Sequence, residues 1–344
     1  MEIGIGGYGY TGSSALFSLL QEFSNIKHID GGEDFEFTLS YISDGLEDLE
    51  FHLMESPSKG TRCDIAIYRF LLLIDSLERS YNRFTNGRFK TITEDYLNKL
   101  IQVEWKGIRV FEYQSSKWKQ IERLIRMSLH ILLKKRNIDI RCFPYRNRYL
   151  SIFPDDFLNH TKTYVSNILE ANGKYDCMLL NQPFSIGDPL RSMRFFKEPK
   201  CIVVDRDPRD LYVLCKNVFG TSALFIPTDS VEHFIEYYKK VRDDRKWKDS
   251  NLVMRVQFED LVYKYDSTID KIKLFLGDVI GNHTNKKKCF NPDFSIKNTN
   301  VFNNFPNDKS NIVLIEKELT KWLYNFQDKE NSISVSELNS YTFL

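Results

Sequence analysis

This chain has no excess of basic residues and no long apolar run. Its 48 Lys and Arg against 47 Asp and Glu leave a formal charge of +1. Bulk charge therefore gives no reason to expect a nucleic-acid or membrane-surface protein. Any anionic ligand has to be held by local placement of Arg, Lys and backbone N–H groups. The most apolar stretch, 65–77, is interrupted by Tyr68-Arg69 and Asp75 and is too short to cross a bilayer. No signal-peptide pattern opens the chain, because Met1-Glu2-Ile3 leads straight into structure. The six cysteines (Cys63, Cys142, Cys177, Cys201, Cys215, Cys289) are scattered, without CxxC or Cys/His zinc spacing. Cys177 and Cys201 sit in apolar runs, where a thiol acts as a small hydrophobe. A reducing, cytoplasmic setting is expected. What is present is ordinary globular material: 42% hydrophobic, 28% charged, with 26 Phe and 18 Tyr arguing against disorder.

Segment patterns divide the chain in three. Residues 2–6 read as a strand entering a Gly-rich turn, and Leu16, Leu19, Leu20 and Phe23 give the next segment a helical period. Residues 25–37 read as a turn-rich, acidic connection. Helical spacing then dominates 64–84, 93–103, 116–136 and 154–171. Basic residues Arg123, Arg126, Lys134, Lys135, Arg136, Arg141, Arg146 and Arg148 gather there, as a solvated face or as an anionic-substrate surface. After Gly173 the pattern becomes strand and helix in alternation: strands at 175–181, 200–205 and 251–257, helices at 207–218, 230–242, 259–276 and 308–326. A parallel sheet interrupted by a helical insertion is the expected architecture. The expected division is a core of 1–58 and 174–328, a helical cap over 59–173, and a loose tail from 329 to 344.

The loop from Gly4 to Ser14 admits several readings. Glycines after a buried strand let the backbone turn tightly and aim N–H groups at an anion, beside the positive end of a helix. Gly4, Gly6 and Gly9 fit GxGxxG, which resembles the turn of short-chain dehydrogenases and allows an NAD(P) site. Gly7, Gly12, Ser13 and Ser14 fit the Walker frame GxxxxGK[ST], except that Ser13 replaces its lysine. A tight corner with no ligand is a further reading, and the loop alone does not decide among them.

The segment from Lys200 to Tyr212 is the most specific in the chain. An apolar strand runs into Arg206-Asp207-Pro208-Arg209-Asp210, where Pro208 suits a helix's first turn and Arg206 leaves the strand end as a forked phosphate donor. It resembles the second nucleotide-binding motif of sulfotransferases, Arg-x-Pro-x-Asp. Three further segments resemble that family in its order: Tyr10-Thr11-Gly12-Ser13-Ser14 its 5′-phosphosulfate loop, Phe258-Glu259-Asp260-Leu261 its Tyr-Glu-Asp-Leu segment, and Ser295-Ile296-Lys297-Asn298 a segment closing over the nucleotide.

The resemblance implies a three-layer α/β/α fold with a central parallel sheet, P-loop NTPase-like, and a helical insertion. It implies 3′-phosphoadenosine 5′-phosphosulfate (PAPS) as donor and no metal. Gly9, Tyr10, Thr11, Gly12, Ser13 and Ser14 would hold the phosphosulfate, Arg206 the 3′-phosphate, and Lys297 the closing segment. The partner would be a hydroxyl-bearing acceptor, expected to be a saccharide. Glu33 in Gly32-Glu33-Asp34-Phe35-Glu36 would be the general base, with Glu36 behind it; His28 and His52 are alternative bases. Two positions depart from the family: Tyr10 stands where Lys or Arg is usual, and Leu214 where a phosphate-binding Ser is usual. Arg191, Arg194 and Lys197 are candidates for the missing cation. The rival expectations are an NAD(P)-dependent oxidoreductase and a noncatalytic nucleotide-binding protein.

Overall fold

The structure is a computed structural model that describes residues 1–29, 35–57, 61–109, 111, 117–134, 145–242 and 247–326. The chain divides into two compact units, one of 1–41, 83–85 and 169–344, the other of 42–82 and 86–168.

The first unit is α/β. Its strands are β1 (Glu2–Gly7), β2 (Ile26–His28), β5 (Cys177–Asn181), β6 (Pro199–Asp205) and β7 (Val253–Gln257). They form one five-stranded parallel sheet in the order β2-β5-β1-β6-β7. Helices flank it in a three-layer arrangement. On one side Leu16, Leu19 and Leu20 of helix Ser13–Leu20 share a core with Ile3, Ile5, Leu179, Ile202 and Val204 of the strands, and with Leu261, Ile269 and Ile272. A separate apolar cluster joins helices Pro208–Asn217, Val231–Val241 and Lys309–Glu318. The central strands are buried on both faces, which is why 200–205 reads as one continuous apolar run rather than an alternation.

The second unit is mainly helical, with a two-stranded antiparallel sheet of β3 (Val103–Gly107) and β4 (Arg146–Leu150). Its polar centre is Asp64, which is buried and accepts from Arg109 Nε and Nη2, both at 3.0 Å, from Arg148 Nε at 3.2 Å and from the Tyr149 N–H at 3.0 Å. Arg148, expected on a solvated or substrate-binding face, serves the fold. Tyr96 and Tyr164 stack at 4.4 Å with their hydroxyls bound to Thr161 and Thr93.

Four expectations change. Residues 25–37 contain strand β2, three residues with one apolar side chain and too short for a period to show. The helix expected at 93–103 runs Phe89–Leu100, and Val103 begins β3 instead. The helix at 259–276 breaks at Lys264 into Phe258–Tyr263 and Tyr265–Leu276. The last helix stops at Glu318, followed by a single 3-10 turn, Thr320–Trp322.

Candidate functional site

In a parallel sheet, ligands favour the carboxyl ends of the strands where the winding direction reverses. Here that point lies between β1 and β6: the chain leaving β1 leads to β2 on one side, and the chain leaving β6 leads to β7 on the other. The loop from Tyr8 to Gly12 and the residue Arg206 both emerge there.

The loop is held in an unusual backbone shape. Gly9, Tyr10 and Gly12 all have left-handed φ, at 86°, 54° and 91°. A Cβ on Gly12 would meet the Phe258 ring at 2.4 Å, so position and conformation both demand glycine there. Thr11 is fully buried. Its hydroxyl donates to the Val204 carbonyl at 2.7 Å and accepts from the Tyr8 N–H at 3.1 Å, pinning the loop to β6. Tyr10 stacks its ring on Phe219 at 4.3 Å, with Phe225 at 5.7 Å, so its side chain is engaged in an aromatic contact. Ser13 is half-buried and Ser14 exposed, in the first turn of a helix with no acidic residue there.

Arg206 is buried. Its Nη1 donates to the Tyr10 carbonyl at 3.3 Å, its Nη2 donates to the Asn298 carbonyl, and its guanidinium lies 5.0 Å from the centre of the Phe258 ring. Its Nε is buried with no hydrogen-bond partner among the described residues. Segments near 10, 206, 258 and 298 thus meet at one side chain. The rest of the Arg-x-Pro-x-Asp turn fastens the C-terminal region. Asp207 caps helix Pro208–Asn217 and accepts from the Tyr324 N–H at 2.8 Å; Arg209 reaches Glu316 and the Tyr324 carbonyl; Asp210 accepts from the Asn300 and Phe302 N–H groups.

Two buried carboxyls stand beside Arg206. Burial, then the charge of Asp207, pushes Glu259 up to about 8, while the Asp207 N–H and Arg206 pull it down. Glu259 Oε1 accepts from the Asp207 N–H at 2.9 Å, and Oε2 has no partner among the described residues. Burial likewise raises Asp210, with Arg206 opposing.

On the Gly7–Gly9 side of the loop lies a cavity of about 720 Å³ lined by Tyr8, Glu36, Tyr41, Gln182, Ile186 and Lys240, among others. Burial, then the Asp205 charge, pushes the Tyr8 hydroxyl up to about 12. Burial, then the Glu36 charge, raises Tyr41 well above the usual tyrosine range. Glu36 is exposed and faces this cavity; Glu33 lies outside the described residues. Ser13, Ser14 and Arg206 do not line it.

The other candidates are dispersed. Lys297 is half-buried with its Nζ 5.6 Å from the Phe294 ring centre. Arg191 and Arg194 are exposed, and Lys197 pairs with Glu170 at 3.7 Å. Leu214 is fully buried in the apolar cluster of its helix. His28 is exposed on edge strand β2.

Sequence reasoning missed Lys240, the lysine of the cavity lining, because helix 230–242 has lysines at adjacent positions and no motif marks one. It also missed Arg242, which forks onto Asp205 with bonds of 2.8–3.0 Å between the rings of Tyr8 and Tyr238. Among the described residues no group of three or more His, Cys, Asp or Glu side chains is placed to hold a metal ion. No protein-family model and no curated protein matches this chain.

Proposed function

We propose that the first unit binds a nucleoside 3′-phosphate 5′-phosphosulfate and transfers its sulfuryl group to an acceptor hydroxyl, a saccharide being the expected acceptor. The observation that carries the reading is Arg206. One guanidinium ties together the loop at Tyr10, the Phe258-Glu259 segment and Asn298, the same segments that resemble sulfotransferase motifs in sequence. Its unpartnered Nε is a donor without an acceptor, as a phosphate oxygen would supply.

In this reading the N–H groups at the start of helix Ser13–Leu20 and the Ser13 and Ser14 hydroxyls receive the phosphosulfate. The acceptor occupies the 720 Å³ cavity on the other side of Gly7–Gly9. A carboxylate from the segment after the first helix, Glu33 or the cavity-facing Glu36, takes the hydroxyl proton. The acceptor oxygen bonds to sulfur, the bond from sulfur to the bridging oxygen breaks, and adenosine 3′,5′-bisphosphate leaves. Lys240 is the lysine of the cavity lining that can stabilise the charge building on the transferring group.

A dinucleotide-dependent oxidoreductase is less well supported. That fold places the strand after the first helix beside the first strand, in the order 3-2-1-4-5-6, whereas β5 separates β2 from β1 here. Gly4 and Gly6 lie inside β1, against Phe184 and Ile186, rather than in the turn. Nucleotide binding without turnover is the stronger rival, because the ring of Tyr10 is committed to Phe219 where the family carries a cation.

The test is release of adenosine 3′,5′-bisphosphate from PAPS in the presence of saccharide and phenolic acceptors. Acceptor-dependent release that falls on the order of 10²-fold or more in Glu36→Gln supports transfer with that base. Nucleotide binding without release under any acceptor supports the noncatalytic rival.

A further inference from the structure

The helix Lys117–Lys134 in the second unit exposes the side chains a helix normally hides. None of its residues is buried, and Trp118 is 80% exposed, with Leu124 and Leu132 each at 62%. At 3.6 residues per turn, Trp118, Ile121, Leu124, Ile125, Leu129 and Leu132 fall within one arc of roughly 140°. The opposite arc carries Lys119, Arg123, Arg126 and Lys134. Counting Lys117 as well, five cations stand against the single acid Glu122, which is a local charge of +4 in a chain whose total is +1.

We propose that this helix docks in the headgroup layer of an anionic lipid bilayer, apolar arc toward the acyl chains and cations toward the lipid phosphates. An amphipathic helix with a basic polar face and Trp, Leu and Ile on the other is suited to lie in that plane. The stems of Lys and Arg reach along the apolar body while their heads stay with the anions, and Trp118 suits the interface itself. Five cations forbid spanning, and among the described residues no helix is long and apolar enough to cross a membrane. A second copy is a poorer occupant: it would bring two +4 helices together, and the arc is wider than a coiled-coil seam. The bulk balance of the chain conceals this surface because the remainder carries −3, the total of +1 less the helix's +4.

The full chain, with folding checked by circular dichroism, is floated with phosphatidylcholine vesicles made with and without phosphatidylserine. Binding is expected only to the anionic vesicles and falls as salt is raised. Leu124→Glu/Leu132→Glu abolishes it while keeping good helix formers on an exposed face. Arg123→Gln/Lys134→Gln weakens partition roughly 30-fold, about five-fold for each cation at about 1 kcal/mol. The proposal is overturned if the folded native chain floats with neither vesicle, or floats equally with both. It is overturned too if the Leu124→Glu/Leu132→Glu variant floats like the native chain. A vesicle-free dimer in sedimentation velocity that this variant dissociates would assign the face to a second copy instead.

Discussion

Two buried arginines stand near the carboxyl end of β6, and the protein holds them differently. Arg242 forks onto the Asp205 carboxylate, its plane between Tyr8 at 4.1 Å and Tyr238 at 3.4 Å. The Arg206 guanidinium has no carboxylate bond among the described residues and donates to two main-chain carbonyls; each arginine leaves one nitrogen without a partner there, Nε of Arg206 and Nη1 of Arg242. A cation neutralised by a carboxylate is committed to the fold. A cation held by neutral carbonyls keeps its charge for an anion, because those bonds can be exchanged at modest cost. In the proposed reading, Arg206 is the arginine that meets the ligand and Arg242 is the one committed to the fold.

The most disruptive way to break this comparison is Arg242→Met, which leaves Asp205 buried without its counter-charge. A loss of about 3–5 kcal/mol in stability is expected, read by urea unfolding. Arg206→Lys should cost less, about 1–3 kcal/mol, since an ammonium cannot bridge both carbonyls. Its affinity for adenosine 3′,5′-bisphosphate should nevertheless fall far more than that of Arg242→Met at equal folded fraction, measured by calorimetry. Thr11→Val removes the hydroxyl that joins the loop to β6 and leaves the Val204 carbonyl unpaired; about 1–3 kcal/mol is expected in the same unfolding assay.

A separate effect concerns protons. Glu259 is pushed up to about 8 in the folded chain from an ordinary value near 4.5. Between those values the folded state holds a proton the unfolded state has released. Its contribution to stability is therefore complete below about pH 4.5 and is lost as pH rises through 8. Unfolding free energy measured across that window should decline with pH, and Glu259→Gln should flatten the decline.

Much of the sheet was legible in sequence because its inner strands are continuous apolar runs, such as Cys201-Ile202-Val203-Val204, and its first helix repeats Leu16, Leu19 and Leu20 on one face. Strands β2 and β3 were not, since their side chains are largely exposed and carry no pattern of burial. At the site, the local motif pointed to Arg206, with Asp207 and Asp210 in the same turn. It could not reveal that Asp207 and Asp210 bind backbone N–H groups about 90 to 117 residues away, because those partners donate through main chain and leave no side-chain signature. Tyr10 is similar: in sequence it is a missing cation, and only the fold brings Phe219 under its ring.

The most direct measurement is calorimetric titration of the native chain and of Ser14→Glu with adenosine 3′,5′-bisphosphate, with NAD, NADP and ATP as comparators. The variant places an acid in the exposed first turn of helix Ser13–Leu20, where it favours the helix but repels an anion. Micromolar binding of the bisphosphate alone, lost in Ser14→Glu while its thermal stability is kept, is the result expected. Binding of NAD or NADP in its place, no nucleotide binding at all, or bisphosphate binding unchanged in Ser14→Glu would contradict a phosphosulfate site on this loop.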